Sequence, residues 1–308
     1  MWCASIVGFV TLPIGVSSPV CAGILGHAAT PMSLKELALE TVAISKAGHY
    51  IAPSGQPVPI AIEASLAGTT LYTPEALAVL VASLPPITTP HATRIEVTGD
   101  TTGLALRRLV VDESMPHVCA LNFASAKNPG GGFLGGAKAQ EEDLARVSAL
   151  YVTLLRKPAY YETNRATKSM IYTDHAIYSP GVAFFRDESL ALREVPFEAA
   201  IITMPAPNAG EHRKREGAPE EVDAALDRRV AMVLAMARTH AHRTLVLGAW
   251  GCGVFRNDPM KVAACFAKWL SAPAFEGAFE RVVFAVYDRP EGANRAAFDR
   301  VFRIIATQ

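Results

Sequence analysis

From residue 94 onward, apolar positions along the chain fall into two kinds of segment. Short, continuous apolar runs cover residues 117–123, 199–204, 243–247 and 281–287. Between them lie segments in which apolar residues recur three or four positions apart, such as 220–238. Continuous apolar strands are typical of a sheet buried on both faces, and the helical period is typical of the layers that cover it. The pattern predicts an α/β protein, a three-layer α/β/α sandwich around a mixed sheet.

Weaker patterns predict the remaining elements. Ser33 and Glu36 form a capping box at the start of a helix that Gly48 ends. Residues 50–90 are rich in Pro, Gly, Ser and Thr, with a helical stretch at 74–83. We therefore predict an N-terminal helical accessory segment over residues 32–90 and the main domain over residues 91–308. In the main domain we expect further strands at 94–98 and 176–185, with helices that begin near residues 102, 258 and 294.

Residues 1–31 differ from the rest because they contain no Lys, Arg, Asp or Glu. Pro13, Gly15 and Pro19 interrupt their apolar runs, so they do not form one apolar helix that could span a bilayer. Two interpretations stay open. One is a signal-like segment for export or organelle targeting, cleaved near residues 20–22 but lacking a positively charged start. The other, which we favour, is an over-extended start, with Met32 as the true initiator.

Composition narrows the function classes. Half of the 308 residues are hydrophobic, which is ample for one large domain. The 29 basic and 29 acidic residues balance, so no overall field favours duplex DNA or an anionic membrane. The five cysteines are odd in number and contain no CxxC pair, which favours a reducing, cytoplasmic setting. No HExxH, GxSxG or paired Cys/His spacing points to a metal site or a serine nucleophile.

A glycine-rich loop after the run 117–123 carries the strongest chemical signal. It contains Gly130, Gly131 and Gly132, and then Gln140, Glu141 and Glu142 open a segment of helical period that reaches residue 154. A strand, a glycine loop and a helix start bring backbone amides close to an anionic ligand. The two glutamates would repel a phosphate, so they indicate acid–base chemistry on the molecule that carries it. The P-loop pattern fails, because Ala137 stands where its lysine should be.

A second glycine loop, residues 248–255, follows the run 243–247. Both loops follow strand ends, where open α/β sheets bind ligands. Phe255 fits either a ligand ribose or adenine or an ordinary core. Cys252 is a weak candidate nucleophile, because no histidine is placed to activate it.

Asp174 and His175 fit a structural or rim role, and the charge run 211–221 predicts a solvated loop.

The first loop resembles the sequence motif of the poly(ADP-ribose) glycohydrolases: three glycines, the seven residues FLGGAKA, and Gln-Glu-Glu. The flanking NFASAKNP and LARVSALY, with GAWGCGVF in the second loop, are similar to the microbial branch of that family; Val147 replaces a serine usual there. The resemblance implies a macrodomain architecture and cleavage of ribose–ribose O-glycosidic bonds in poly(ADP-ribose). It also implies Glu142 as the general acid and base and Glu141 as the residue that orients the sugar. Adjacent helical glutamates cannot straddle a bond, so one must serve as acid and then as base.

The same resemblance implies a set of substrate-binding residues. Asp100 would accept a hydrogen bond from the adenine amino group, although an N-cap role for Asp100 or Thr101 fits equally well. The remaining binding residues are Asn128, Gly130, Gly131, Gly132, Gln140, Gly251, Cys252, Gly253, Val254 and Phe255.

The implied partners are poly(ADP-ribose), ADP-ribose and ADP-ribosylated proteins, in the reversal of ADP-ribosylation that accompanies the DNA damage response. We expect a monomer without a cofactor or metal, and neither a sequence-specific nucleic acid nor a membrane as partner. One alternative is a non-enzymatic module that binds ADP-ribose or its polymer. The intact Gln-Glu-Glu favours the enzyme, because a binding module has no use for the acid.

Overall fold

A computed structural model describes residues 32–288 and 291–305, so both interpretations of residues 1–31 lie outside the described residues. The strands are β1 (His49–Ile51), β2 (Pro57–Pro59), β3 (Thr70–Tyr72), β4 (Arg94–Thr98), β5 (Val118–Phe123), β6 (Ala176–Arg186), β7 (Leu192–Met204), β8 (Thr244–Leu247) and β9 (Arg281–Ala285). β1 and β2 form a separate antiparallel pair, and the other seven form one sheet in the order β3-β6-β7-β5-β8-β9-β4. β7, β5, β8, β9 and β4 run parallel, whereas β3, β6 and β7 pair antiparallel. The mixed sheet is as predicted.

Helices cover both faces of this sheet. They are α1 (Leu34–Ala47), α2 (Ile62–Gly68), α3 (Pro74–Ala82), α4 (Thr102–Arg107), α5 (Gln140–Val147), α6 (Leu150–Leu154), α7 (Pro158–Ala166), α8 (Ala209–Lys214), α9 (Pro219–Thr239), α10 (Pro259–Leu270) and α11 (Ala293–Ile305). Successive β5 side chains point to opposite faces: Cys119 and Leu121 pack in the core with α9, α10 and α11, while Val118 and Ala120 pack in the core with α4, α5 and α7. The predicted three-layer sandwich is confirmed.

The N-terminal segment follows its local signals. The Ser33 hydroxyl accepts a hydrogen bond from the Glu36 amide, and the Glu36 carboxylate accepts one from the Ser33 amide. Gly48 ends α1 with φ +72°, which only glycine adopts readily. β3, within the same segment, is an edge strand of the main sheet. The boundary at residue 90 stays a prediction.

Two predicted elements differ from the structure. The helical period from residue 140 to 154 is divided into α5 and α6, because Ser148 is extended and forms a β-bridge to Phe184. The predicted loop at 211–221 was wrong at both ends, since α8 extends to Lys214 and α9 begins at Pro219. Asn208 caps α8 by accepting a hydrogen bond from the Glu211 amide, and the Gly210 amide donates to the carbonyl of Phe255 in the second glycine loop. This docking is a tertiary contact that the local charge run does not reveal.

Within residues 32–288 and 291–305, no helix combines the length and the apolar character that crossing a membrane requires.

Candidate active site

The two glycine loops lie side by side at the carboxyl ends of neighbouring strands. The first follows β5 and the second follows β8, which pairs with β5 in parallel. Gly248 stands where the loops meet: a Cβ there would lie 3.1 Å from the Phe123 ring and 2.5 Å from the carbonyl oxygen of Ala285. Only a residue without a side chain allows this close approach.

The first glycine loop is shaped by two glycines with positive φ, Gly130 at +66° and Gly131 at +58°. A Cβ on Gly131 would lie 2.2 Å from Glu142 Oε1 and 3.2 Å from Glu141 Oε2. Both carboxylates therefore pack against the bare backbone of this glycine. Phe133, fully buried beside Tyr151, anchors the loop in the core.

Both polar atoms of the Gln140 side-chain amide form hydrogen bonds within the protein. Its oxygen accepts a hydrogen bond from the Phe123 amide at 2.8 Å, and its nitrogen donates to the Leu121 carbonyl at 2.8 Å and the Thr102 hydroxyl at 3.1 Å. These bonds fix the start of α5 against the end of β5. Gln140 thereby determines where the next two residues, the glutamates, are placed.

Glu141 points into the protein and is 3% exposed. Its Oε2 accepts a hydrogen bond from the Ser125 amide at 2.6 Å, and its Oε1 accepts one from Asn122 Nδ2 at 3.3 Å. Burial raises the pKa of Glu141 to about 8, although both hydrogen bonds act in the opposite direction. The charge of Glu142 contributes to the same upward shift. Glu141 thus holds a proton at neutral pH.

Glu142 is placed differently, half-buried at the edge of the first glycine loop. Its Oε1 accepts a hydrogen bond from the Gly132 amide at 2.9 Å. Across the described part of the chain, no residue hydrogen-bonds to its Oε2. One oxygen is therefore fixed by the loop, and the other can reach a bound molecule.

Proton affinity and geometry point to different glutamates as the acid. The raised pKa alone would favour Glu141, but both of its oxygens accept protein hydrogen bonds inside the core. General acid catalysis requires contact with the leaving atom before a matched pKa matters. On geometry, Glu142 is the group that can transfer a proton to a ligand.

Besides Gly248, the second glycine loop requires a glycine at Gly251. Gly251 has φ +72°, and a Cβ there would lie 2.5 Å from both Ala206 and the Asn257 side chain. At Gly253 the φ angle is not positive and a Cβ would meet no atom within 4 Å. The backbone conformation therefore requires glycine at Gly251 but not at Gly253. Val254 is 82% exposed, and Phe255 is half-buried against Tyr172, with ring centroids 5.9 Å apart.

Cys252 is not poised to act as a nucleophile. Burial raises the pKa of its thiol to about 12, and the charge of Asp258 adds to that effect. The reactive thiolate is then scarce at neutral pH. This agrees with the expectation from sequence that Cys252 does not attack a substrate.

Asn128 and Asp100, the remaining predicted substrate-binding residues, lie around the same edge of the sheet. Asn128 is exposed; its carbonyl accepts a hydrogen bond from the Gly131 amide at 3.0 Å. Asp100 lies 3.7 Å from Arg108 Nε, and the N-cap of α4 is Thr101, whose hydroxyl accepts a hydrogen bond from the Leu104 amide. Asp100 is therefore not needed as a cap.

A cavity of about 620 Å³ opens at the carboxyl ends of β4, β5, β8 and β9, and continues between α5 and the β6–β7 hairpin. Its lining at the strand ends consists of Thr101, Thr102, Gly103, Phe123, Gln140, Ala249, Gly253, Ala285, Val286, Tyr287 and Asn294. The size and position suit a nucleotide-sized ligand. Glu142 lies next to this cavity, against Gly131 and Gly132, and is not part of its lining.

Three residues that hold Glu141 were not singled out from the sequence. Asn122 is fully buried at the end of β5 and donates to both Glu141 and the Thr203 hydroxyl; Ser125 contributes its backbone amide. An asparagine inside an otherwise apolar strand was the available signal for Asn122. Nothing local marks Ser125 or Thr203.

Asp174 has a structural role on the neighbouring segment. It accepts hydrogen bonds from Arg228 and from the fully buried Arg229, at 2.5 and 2.7 Å. Arg229 also donates to the carbonyls of Ile171 and Tyr172. The pair thereby positions Tyr172, which packs against Phe255.

The buried Glu141 should make stability depend on pH. The unfolded chain loses this proton near pH 4.5 and the folded protein near pH 8, so unfolding releases a proton between those values. The free energy of unfolding should therefore fall as pH rises through this window, by about 1.4 kcal/mol per pH unit from this group. In Glu141→Gln that slope should disappear.

Urea unfolding of the native protein and Glu141→Gln at pH 5, 6, 7 and 8 measures this difference. Glu162→Gln, on the exposed face of α7, is the matched control and should keep the native slope. Parallel curves for the native protein and Glu141→Gln would show that Glu141 is ionised in the folded state.

The chain was compared with known proteins. A family model described as microbial-type PARG, catalytic domain, matches residues 38–187; PARG denotes poly(ADP-ribose) glycohydrolase. The comparison with curated proteins gave no match.

Several solved structures are similar over most of the chain. The PARG of Thermomonospora curvata is 50% identical, covering 87% of this chain and 99% of that chain with a TM-score of 0.83. The same enzyme bound to the inhibitor ADP-HPD is 49% identical, covering 87% and 98%, with a TM-score of 0.78. The PARG of Deinococcus radiodurans in complex with ADP-ribose is 46% identical, covering 79% and 96%, with a TM-score of 0.73.

Proposed function

The chain belongs to the microbial-type poly(ADP-ribose) glycohydrolases, and we propose that it cleaves the ribose–ribose bond of poly(ADP-ribose) with Glu142 as the general acid and base. The observation that carries this role is the placement of Glu142. One of its oxygens is held by the Gly132 amide, and the other accepts no hydrogen bond from the described part of the chain. Glu142 can thus approach a sugar bound against the first glycine loop.

The reaction is a hydrolysis in two proton transfers. Glu142, protonated at the start, donates its proton to the bridging oxygen as the bond from that oxygen to the anomeric carbon breaks. The electron pair of the bond leaves with the oxygen, which becomes a free hydroxyl on the shortened polymer. The ionised Glu142 then takes a proton from water as the water oxygen bonds to the anomeric carbon. The products are ADP-ribose and the shortened chain, and Glu142 is protonated again.

Glu141 has a positioning part in this scheme. Its protonated carboxyl is tied to Ser125 and Asn122, so it holds the segment that precedes the first glycine loop. The reacting ribose lies over that segment, so Glu141 orients the sugar through the position of the segment. A neutral neighbour also avoids two adjacent negative charges, which would oppose the loss of the Glu142 proton in the first transfer.

The bound ADP-ribose is held mainly by backbone. In the second glycine loop the amides of Gly253, Val254 and Phe255 donate to no acceptor in the described part of the chain, so they can donate to the diphosphate, and Gly251 gives this loop its positive φ. The cavity beside α4 accommodates the adenosine half, with Asp100 near its rim as the candidate acceptor for the adenine amino group. The relatives from D. radiodurans and T. curvata bind ADP-ribose and an inhibitor at 46–49% identity, which supports this ligand.

A binding module without activity is the second candidate. It would need both loops but would not need a carboxylate oxygen kept free beside the first of them. The geometry of Glu142 therefore favours the enzyme.

Incubation of the purified protein with poly(ADP-ribose) tests the proposed function. Release of ADP-ribose, followed by chromatography, is the expected result. Calorimetric binding of ADP-ribose alone does not separate the two candidates. Binding of ADP-ribose together with an undigested polymer would overturn the enzyme in favour of the binding module.

The free thiols favour a reducing compartment. Cys119, Cys252 and Cys265 form no disulfide, and burial raises the pKa of Cys265 to about 12. Because these thiols are unpaired and inert, they support the expected cytoplasmic location.

A further inference from the structure

A row of cationic side chains borders the two glycine loops on the side of α7 and α8. We call it the basic rim; it comprises Lys127, Arg165, Lys168, Arg213, Arg215 and Arg256. These residues are spread over 130 positions of a chain whose formal net charge is +0. The concentration of positive charge is therefore local and is produced by the fold.

Hydrogen bonds and packing contacts join the chain segments that carry the basic rim. Arg165 donates to the Lys127 carbonyl at 2.6 Å, and Arg215 donates to the Lys168 carbonyl at 2.9 Å. The side chain of Arg256 lies over Gly210 of α8, where a Cβ would be 3.1 Å from its Cδ. The end of α7, the segment after it, α8 and the second glycine loop are thus joined.

The rim is also joined to Glu141 and to the second glycine loop. The Lys127 amide donates to the Ser125 hydroxyl at 3.3 Å, and the Ser125 amide donates to Glu141. At the other end, the Gly210 amide donates to the Phe255 carbonyl at 2.9 Å. The rim therefore starts beside one glycine loop and ends beside the other.

The charges of the rim are not neutralised by the protein. Across residues 32–288 and 291–305, none of the six makes an ion pair within 4.0 Å. By contrast, Lys214, the neighbour of Arg213 in α8, pairs with Glu211 at 2.6 Å. Exposed lysines elsewhere, such as Lys261 and Lys268, pair with aspartates. Exposed acids occur in the same segments, among them Glu162 in α7, Glu216 beside Arg215 and Glu221, which pairs with His212, but none of them lies within 4.0 Å of a rim cation. Clustered like charges favour an anionic partner.

We propose that the basic rim binds the diphosphates of the polymer chain that continues beyond the scissile bond. This rests on the proposed function. The terminal ADP-ribose occupies the cleft with its reacting ribose at Glu142, so the rest of the chain must leave past the first glycine loop, where Lys127 begins the rim. Each further unit carries a negatively charged diphosphate. The rim thus captures the polymer and does not take part in the bond cleavage.

Two double variants test the proposal. Lys168→Gln/Arg213→Gln removes charges whose side chains make no described hydrogen bond, so the fold should be unaffected. Arg165→Gln/Arg215→Gln removes two that contact backbone carbonyls. The matched control is Lys46→Gln/Arg300→Gln, two exposed cations on α1 and α11, without ion pairs among the described residues and remote from the rim.

Initial rates on long poly(ADP-ribose) are measured over a series of NaCl concentrations. For each rim variant, kcat/KM at low salt should fall about three- to ten-fold with kcat nearly unchanged. The slope of log kcat/KM against log salt should lose about 0.7 for each charge removed, as for single-stranded polyanions. Calorimetric affinity for free ADP-ribose, which fills only the cleft, should equal that of the native protein.

Two results would overturn the proposal. One is that rim variants and control share the native kcat/KM and salt slope. The other is that ADP-ribose affinity falls by the same factor as kcat/KM, which would mean that the substitutions disturb the cleft. In both cases a native protein that digests the polymer keeps the proposed function intact. If the native protein does not digest the polymer, the proposed function itself is contradicted, and the proposal for the rim with it.

Discussion

Glu142→Gln should lower the turnover of poly(ADP-ribose) by a factor of about 10² to 10⁴ and leave the affinity for ADP-ribose nearly unchanged. The amide keeps the shape of the side chain, and its oxygen can still accept the hydrogen bond from the Gly132 amide. It has no proton to give to the leaving oxygen and cannot take one from water. ADP-ribose, as the product, no longer requires that transfer, so its binding should persist.

The measurement pairs single-turnover digestion with calorimetric binding of ADP-ribose. Glu162→Gln is the control for the same chemical change at an exposed site and should retain native turnover. Glu141→Gln should lose activity together with some affinity, because it disturbs the segment under the ribose. Near-normal turnover in a folded Glu142→Gln protein would assign the proton transfers to another residue.

Asp174→Ala should lower the free energy of unfolding by about 3–5 kcal/mol. The substitution leaves the Arg229 guanidinium buried without a carboxylate, and a buried unpaired charge is costly. Burial alone would raise the pKa of Asp174, but Arg228 and Arg229 outweigh it and lower the pKa. This stabilisation is therefore present above the ordinary pKa of 3.8 and is lost as pH falls through the lower folded value. Between pH 5 and 8 the loss in Asp174→Ala should be constant.

Urea unfolding at pH 7 measures the effect. Asp223→Ala is the matched control, because Asp223 pairs with Lys261 at the surface, where an ion pair contributes about 0–1 kcal/mol. Asp174→Ala/Arg229→Met should recover part of the loss by removing the uncompensated charge. Equal effects of Asp174→Ala and Asp223→Ala would contradict a structural role for the buried pair.

The elements that follow local rules were predicted closely. The capping box and Gly48 bound α1, Asp258 and Pro259 start α10, and the continuous apolar runs are the parallel strands. The family resemblance, built on the spacing of glycines and glutamates, is confirmed. Predictions failed where a distant partner decides the local conformation, as in α8, which is docked on Phe255, and at Ser148, which is bridged to Phe184.

The sequence by itself determined the layered α/β architecture, the two glycine loops and the two glutamates, because periodicity and motif spacing are properties of neighbouring residues. It did not determine the environments of Glu141 and Glu142, since helical period separates their directions but does not show which distant segments each side chain meets. Only the tertiary structure placed Glu141 in the core, against Asn122 and Ser125, and left an oxygen of Glu142 free at the edge of the loop. Burial and hydrogen bonding depend on which distant segments meet, and those contacts separate a carboxyl that holds its proton in the core from one that can transfer it.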